Sequence, residues 1–196
     1  RYSIANCFAE YSFNNTNDPG NPTRGFNVKA RGTYDLYFNG PISGSGTIQC
    51  SAEGYLTIPG GLITFIPRLY YRKVFNLGLG AEDSFIGGYQ QGKFLDQQIP
   101  FVGITSMEYM PVTDLGVARL DARVNIRSKH HVTAMYNYLM ASESVIHEVS
   151  GFRNNGAGVM YTYDTAMGPI NLCVHWNDLY KERSGWGAYV SFGYYF

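Results

Sequence analysis

Residues 115–127 read Leu-Gly-Val-Ala-Arg-Leu-Asp-Ala-Arg-Val-Asn-Ile-Arg. Ala118, Leu120, Ala122, Val124 and Ile126 alternate with Arg119, Asp121, Arg123, Asn125 and Arg127. A period of two puts all the apolar side chains on one face of a strand and all the polar ones on the other. The same rhythm recurs in residues 26–38, where Phe26, Val28, Ala30, Tyr34, Leu36 and Phe38 alternate with Asn27, Lys29, Arg31, Thr33 and Asp35. It returns in 170–177 and again in 186–196, whose one face is Trp186, Ala188, Val190, Phe192, Tyr194 and Phe196. Weaker copies cover 1–13, 47–58, 62–75, 132–140 and 156–166, which makes nine strands. No helical period competes over a long window. Several strands exceed the usual ~5–6 residues and reach the ~9–11 that cross a bilayer at a tilt.

Composition fits this reading. The 196 residues carry 15 Lys+Arg and 15 Asp+Glu, so the formal net charge is zero and the basic footprint of a nucleic-acid binder is missing. Charged residues are 15%, well below the ~25% of ordinary soluble domains. Yet there is no apolar run of the ~18 residues that a transmembrane helix needs. Glycine (23), tyrosine (17) and phenylalanine (12) are abundant, as in antiparallel β proteins whose apolar residues are spread by alternation. Cys7, Cys50 and Cys173 are odd in number and form no Cys-x-x-Cys, so they read as small hydrophobes rather than as a zinc site or a disulfide framework. No charged-then-apolar leader precedes Arg1, which reads as a removed signal peptide or as a fragment.

The connections separate by length. At the end of the strands that holds the C-terminus the links are residues 59–61, 128–131 and 167–169, with 14–24 the one longer turn. At the other end lie 39–46, 77–114, 141–155 and 178–185. Short turns on one side and long loops on the other are the layout of an outer-membrane barrel, with the short side in the periplasm. In such a barrel the apolar face meets lipid. The inward face then carries Lys29, Arg31, Asp35, Glu53, Arg68, Arg72, Arg119, Asp121, Arg123 and Arg127. Charges so confined need water, or loops that pair them. Tyr34, Tyr138, Tyr161, Trp176, Trp186 and Tyr194 face outward and suit interfacial girdles. The fold class expected is therefore all-β, an antiparallel transmembrane barrel over 1–196 with a long extracellular or lumen loop at 77–114. Bacterial single-chain barrels have even strand numbers. Residues 101–111 are either a tenth strand or part of the loop, or else the first strands are absent.

The order of features resembles the C-terminal part of the BamA/TamA-type barrel, the bacterial surface antigen family. Asn21-Pro22-Thr23-Arg24-Gly25 is similar to that family's Phe-Pro-Thr-x-Gly turn, and Met167-Gly168-Pro169 to its Gly-Pro-Leu turn. Phe85-Ile86-Gly87-Gly88-Tyr89 stands where the family has Val-Arg-Gly-Phe/Tyr, followed by five strands and a terminal aromatic. The resemblance spans nearly the whole chain and implies a sixteen-strand barrel of which this is the second half plus a strand. Residues 94–103 further resemble barrels fused to patatin-like phospholipases in Bacteroidetes. In the family the loop arginine drops into the lumen onto the wall; here Gly87 (with Ile86, Gly88 and Tyr89 around it) takes that position, leaving Lys93 or a wall arginine to replace it. The resemblance also implies that Trp186, Phe192, Gly193, Tyr194 and Phe196 form the signal read by the barrel assembly machinery, beside their plainer reading as lipid-facing aromatics.

No Gly-x-Ser-x-Gly elbow exists, and Ser43-Gly44-Ser45-Gly46 reads as a flexible loop tip. The chain is therefore expected to be non-enzymatic, with any patatin-like lipase domain outside it and no cofactor. No metal site is expected. His130-His131 reads as a solvated turn, His147 with Glu143 and Glu148 as a surface loop, and His175 as a lumen hydrogen-bonder beside Asn177. The basic wall of Arg68, Arg72, Arg119, Arg123 and Arg127 either attracts anions or is paired by Asp35, Glu53, Asp121 and loop acids. Three functions fit: a barrel in outer-membrane lipid that anchors, exports or helps insert a protein (an attached N-terminal domain or a second copy being the candidate partners), a passive pore or structural barrel, and a soluble barrel binding an apolar ligand. Orientation is testable. Leu120→Arg places a charge on the lipid face, costs roughly 2–4 kcal/mol near the bilayer midplane, and abolishes the heat-modifiable gel shift of assembled protein.

Overall fold

The computed structural model describes all residues except 1–2, 19, 39–42, 76–83, 90–97, 106–107, 111, 145–151, 180–184 and 194–196. The strands are β1 (Ile4–Asn14), β2 (Arg24–Tyr37), β3 (Ser43–Thr57) and β4 (Ile63–Phe75), then the short β5 (Ser84–Ile86), β6 (Gln98–Ile99) and β7 (Glu108–Met110). They continue with β8 (Val112–Arg127), β9 (His130–Ser144), β10 (Phe152–Thr165), β11 (Gly168–Asn177) and β12 (Trp186–Phe192). Nine of them form one antiparallel sheet in the order β1-β2-β3-β4-β8-β9-β10-β11-β12, the nine that period two selects. The sheet is open: β1 and β12 are its edges.

Register carries the alternation intact from strand to strand. Leu69, Ala118 and Tyr138 lie abreast on the outer face, and Arg68, Arg119 and Asn137 on the inner one. Outer residues such as Leu120 (49%), Leu172, Val174 and Val190 (70%) are exposed, whereas Arg119 (3%) and Asp121 (0%) are buried. A soluble protein would invert this. Lys73, Asp114 and Tyr71 form a polar group on the outer face near the loop end, where lipid headgroups would meet it: Lys73 Nζ donates to Asp114 at 2.6 Å and the Tyr71 hydroxyl at 2.5 Å.

The turns are short for local reasons. Between β3 and β4, Gly60 and Gly61 adopt φ of 102° and 74°, a left-handed conformation that only glycine holds without strain. The amide of Ile58 donates to the carbonyl of Ile63 at 3.0 Å and closes the hairpin.

Several expectations are corrected. Ser43–Gly46 is not a loop tip but the first turnless stretch of β3, paired with β2 from Tyr37 to Tyr34. The Tyr34 ring lies over Gly44 and Gly46, where a Cβ on Gly44 would meet the hydroxyl at 2.3 Å. Of the alternatives for residues 101–111, the loop one holds: among the described residues none joins the large sheet, and β7 pairs with β5, beside β6, in a small inner sheet. The last strand ends at Phe192, and Gly193 follows in a bend with φ 103°. His131 is buried at the start of β9 rather than solvated. Its Nδ1 meets Asn125 Oδ1 and its Nε2 meets Asp164 Oδ2, both at 2.8 Å. His130 takes the opposite face and meets the Tyr161 hydroxyl at 2.7 Å.

At the loop end, Asp178 fastens the approach to β10. Its carboxylate accepts from the Asn155 amide and side chain, each at 2.6 Å, and from Asn154 Nδ2 at 3.2 Å. Burial opposes the charge, but the hydrogen bonds from Asn155 and Asn154 outweigh it and hold the carboxyl below its ordinary value. A carboxyl depressed on folding contributes stability above its unfolded pKa of about 3.9 and loses it as pH falls through the depressed value. Protease resistance of this end is therefore expected to hold down to about that unfolded value and to decline below it, and Asp178→Asn removes that acid-dependent step.

Candidate functional site: a plugged lumen

The inner face of the sheet divides along the strand axis. At the loop end it is largely apolar. Tyr70, Val112, Leu115, Val117, Leu139 and Ala141 of the wall pack around Ile86, Ile99, Phe101, Ile104 and Met110 of the inserted segment. The described part of the long loop thus folds inward and supplies an apolar core of its own, and of the ionic lining inferred from the sequence Arg72 and Asp35 are buried at this end.

The inserted segment is held by polar contacts at defined points. Val102 exchanges both backbone groups with the Asn137 side chain: its amide donates to Oδ1 at 2.6 Å and its carbonyl accepts from Nδ2 at 3.3 Å. Asn177 Nδ2 donates to the Gly103 carbonyl at 2.6 Å, and Thr105 Oγ1 meets His175 Nε2 at 2.9 Å. The backbone comes this close because the facing wall positions are glycines. A Cβ on Gly156 would lie 1.9 Å from the Val102 carbonyl oxygen, and one on Gly158 2.9 Å from Val102 Cγ1. Within the plug, Gly87 and Gly88 donate to the carbonyls of Ile99 and Ile104 at 3.0 and 2.8 Å, and Gln98 Nε2 donates to the Gly87 carbonyl at 2.5 Å.

Below this lies the charged layer. Arg119 binds Asp121 through two donors, Nε at 2.6 Å and an η nitrogen at 2.8 Å, the bidentate fork that suits a buried carboxylate. Arg68 reaches the same Asp121 at 3.2 Å and Glu53 at 3.1 Å. Arg119 also donates to the Tyr89 carbonyl at 2.8 Å and stands 4.8 Å above the Tyr89 ring. Here a wall arginine reaches the loop, the replacement that Gly87 leaves open. Gly87 has φ 126°, a conformation that an arginine there would strain to adopt.

Of the residues singled out from the sequence, Arg68, Arg119 and Asp121 come together, and Ile86, Gly87, Gly88 and Tyr89 lie in the plug that Arg119 holds. Arg72 is buried one layer up, donating to Gln49 Oε1 at 3.1 Å, and Arg123 reaches the Pro22 carbonyl one layer down. Arg127 joins neither: it follows a register shift between Asn125 and Arg127 and is exposed at the strand end. Trp186 and Phe192 are exposed on the outer face, while Tyr194, Phe196, Lys93 and His147 lie outside the described residues. Among the described residues no cluster of three or more metal-ligating side chains occurs.

Asn137, Gly156 and Gly158 were missed, and Asn177, expected only as a neighbour of His175 in the lumen, holds the inserted backbone. Their signal was available: all four fall on the inward phase of their strands, where asparagine and glycine leave room and donors for a second backbone.

Arg119→Met leaves Asp121 with half its partners in a buried layer and removes the grip on Tyr89. A loss of about 3–5 kcal/mol is expected, read as a lower unfolding midpoint of the detergent-solubilised barrel, with Arg119→Lys intermediate.

A family model of the OMP85 superfamily matches residues 72–196. No curated protein matches the chain. The match covers β8 to β12, the plug and Arg119 with Asp121, but not Arg68, on an all-β sheet whose apolar face is turned outward. The chain belongs to the OMP85 superfamily, as the C-terminal part of a BamA/TamA-type outer-membrane barrel.

Proposed function

We propose that this chain is the closed-state half of an outer-membrane barrel that anchors, exports or helps insert a protein domain, without catalysing a reaction itself. The observation that carries this reading is the plug. A passive pore gains nothing from a lumen filled by a segment with its own apolar core, pinned by Asn137, Asn177 and Arg119. A device that opens only for a client needs such a filling. The two free edges fit the same role: unpaired backbone groups cannot face hydrocarbon, so β1 and β12 require further strands in the membrane. An attached N-terminal portion or a second copy could supply them. Outer-membrane lipid and the assembly machinery are the partners this implies. The likeness of residues 94–103 to patatin-linked barrels makes a lipase domain a candidate cargo.

The test is single-channel recording on the full native polypeptide in a planar bilayer. The unaltered protein is expected to be silent, and Gly156→Val, which puts side-chain atoms where the Val102 backbone sits, is expected to open it. Large steady openings in the unaltered protein would transfer the assignment to a passive pore.

A further inference from the structure

The lumen is stoppered at its other end too. The turn between β1 and β2 is a built object. Asn17 Oδ1 accepts from the amides of Thr23 and Arg24 at 3.0 and 2.9 Å, and Asn15 Oδ1 from the amide of Phe26 at 2.7 Å. Gly25, at φ 103°, lets this backbone pass where a Cβ would lie 2.6 Å from the Asn15 carbonyl oxygen. The turn does not stay with its own strands. Thr57 Oγ1 of β3 donates to the Thr23 carbonyl at 2.7 Å. Arg123 of β8, three places from β2 in the sheet, donates to the Pro22 carbonyl. The turn therefore lies across the mouth of the inner face.

Arg123 differs from its neighbours in how it is used. Arg119 and Arg68 meet carboxylates, Asp121 and Glu53. Among the described residues no carboxylate forms an ion pair or hydrogen bond with Arg123; Asp164, bonded to His131, acts on it only at longer range. The one hydrogen-bond partner of Arg123 among them is the neutral Pro22 carbonyl, and its Nε is buried without a partner. A guanidinium binds a carboxylate through two parallel donors, far better than it binds one amide oxygen. An arriving carboxylate would outcompete Pro22.

We propose that the described turn residues 15–18 and 20–23 form a second gate at the short-turn end of the lumen, latched by Arg123, and that Arg123 is an entry site for an extended chain bearing Asp or Glu carboxylates, which opens the gate by displacing the Pro22 carbonyl. This rests on the barrel reading above. On β8 the two gates stand four residues apart: Arg119 holds the plug, Arg123 holds the turn, and Asp121 between them is shared with Arg68.

The test uses the full native protein in proteoliposomes, with Cys7, Cys50 and Cys173 replaced by alanine. A single thiol is introduced as Thr64→Cys. Thr64 is fully buried on the inner face and bonded at 2.9 Å to Thr57, over which the turn lies. The readout is its rate of labelling by a hydrophilic maleimide. Arg123→Gln is expected to speed labelling about tenfold or more, as loss of a charge-assisted hydrogen bond implies, and Thr57→Ala to speed it as well. Hexaglutamate is expected to speed labelling in the parent and not in Arg123→Gln, and hexalysine in neither. Equal rates in the parent and in both variants, all still heat-modifiable, would overturn the gate. Indifference to hexaglutamate would overturn the carboxylate site. A separate Leu120→Cys probe keeps the two readings apart: labelling there by the hydrophilic reagent counts against the membrane barrel, not against the gate alone.

Discussion

A strand in hydrocarbon has nowhere to place its amides and carbonyls except on another strand, and nowhere to place a charge except behind itself. Everything in this chain follows from obeying both demands at once. Backbone groups are spent in a continuous antiparallel ladder from β1 to β12. Side chains of the large sheet are then sorted largely by parity, one face of each strand turned outward and one to the interior, with Lys73 and Asp114 paired on the outer face near the loop end.

That sorting creates a second problem, since the interior face is broad and holds groups that cannot be left alone. The chain answers it in three layers. Apolar wall residues at the loop end bury the plug's isoleucines and Phe101. The middle layer pairs Arg68 and Arg119 with Asp121 and Glu53, where each carboxylate has cationic donors and the long side chains are fixed by packing. The lowest layer uses side chains to hold backbone, Arg123 on Pro22 and Thr57 on Thr23. A filled lumen is thus a consequence of satisfying the wall, and the same contacts that satisfy it decide what must break before anything passes.

Loop and wall are joined through one charge-assisted contact. The loop turns through the left-handed Gly87, and the guanidinium rises from the wall at Arg119 onto the carbonyl and ring of Tyr89. The charge-assisted contact between loop and wall thus has its donor on the rigid side. A latch anchored on a sheet residue is held by the neighbouring strands through Asp121, whereas one carried by a loop depends on the loop's own order.

Period two was sufficient for the nine strands of the large sheet, their faces and the outward orientation of the greasy side, because parity is a local property, but not for the short β5, β6 and β7. Lys29 to Asp35 or Arg119 to Arg127 needed no partner to be read as one row. Even so, a single extra residue at 126 is enough to carry Arg127 out of that row, and parity gives no warning of a bulge. Which wall residues meet which part of the loop was not legible. Gly156 and Gly158 become a landing place only when Val102, more than fifty residues earlier in the chain, is set against them. Asn137 likewise becomes a clamp only when a backbone segment arrives with both its groups unpaired. The one-dimensional pattern fixes how each strand divides its side chains, since neighbours along a strand must alternate. The three-dimensional fold alone decides what fills the space between strands, since that depends on distances between residues the chain does not connect.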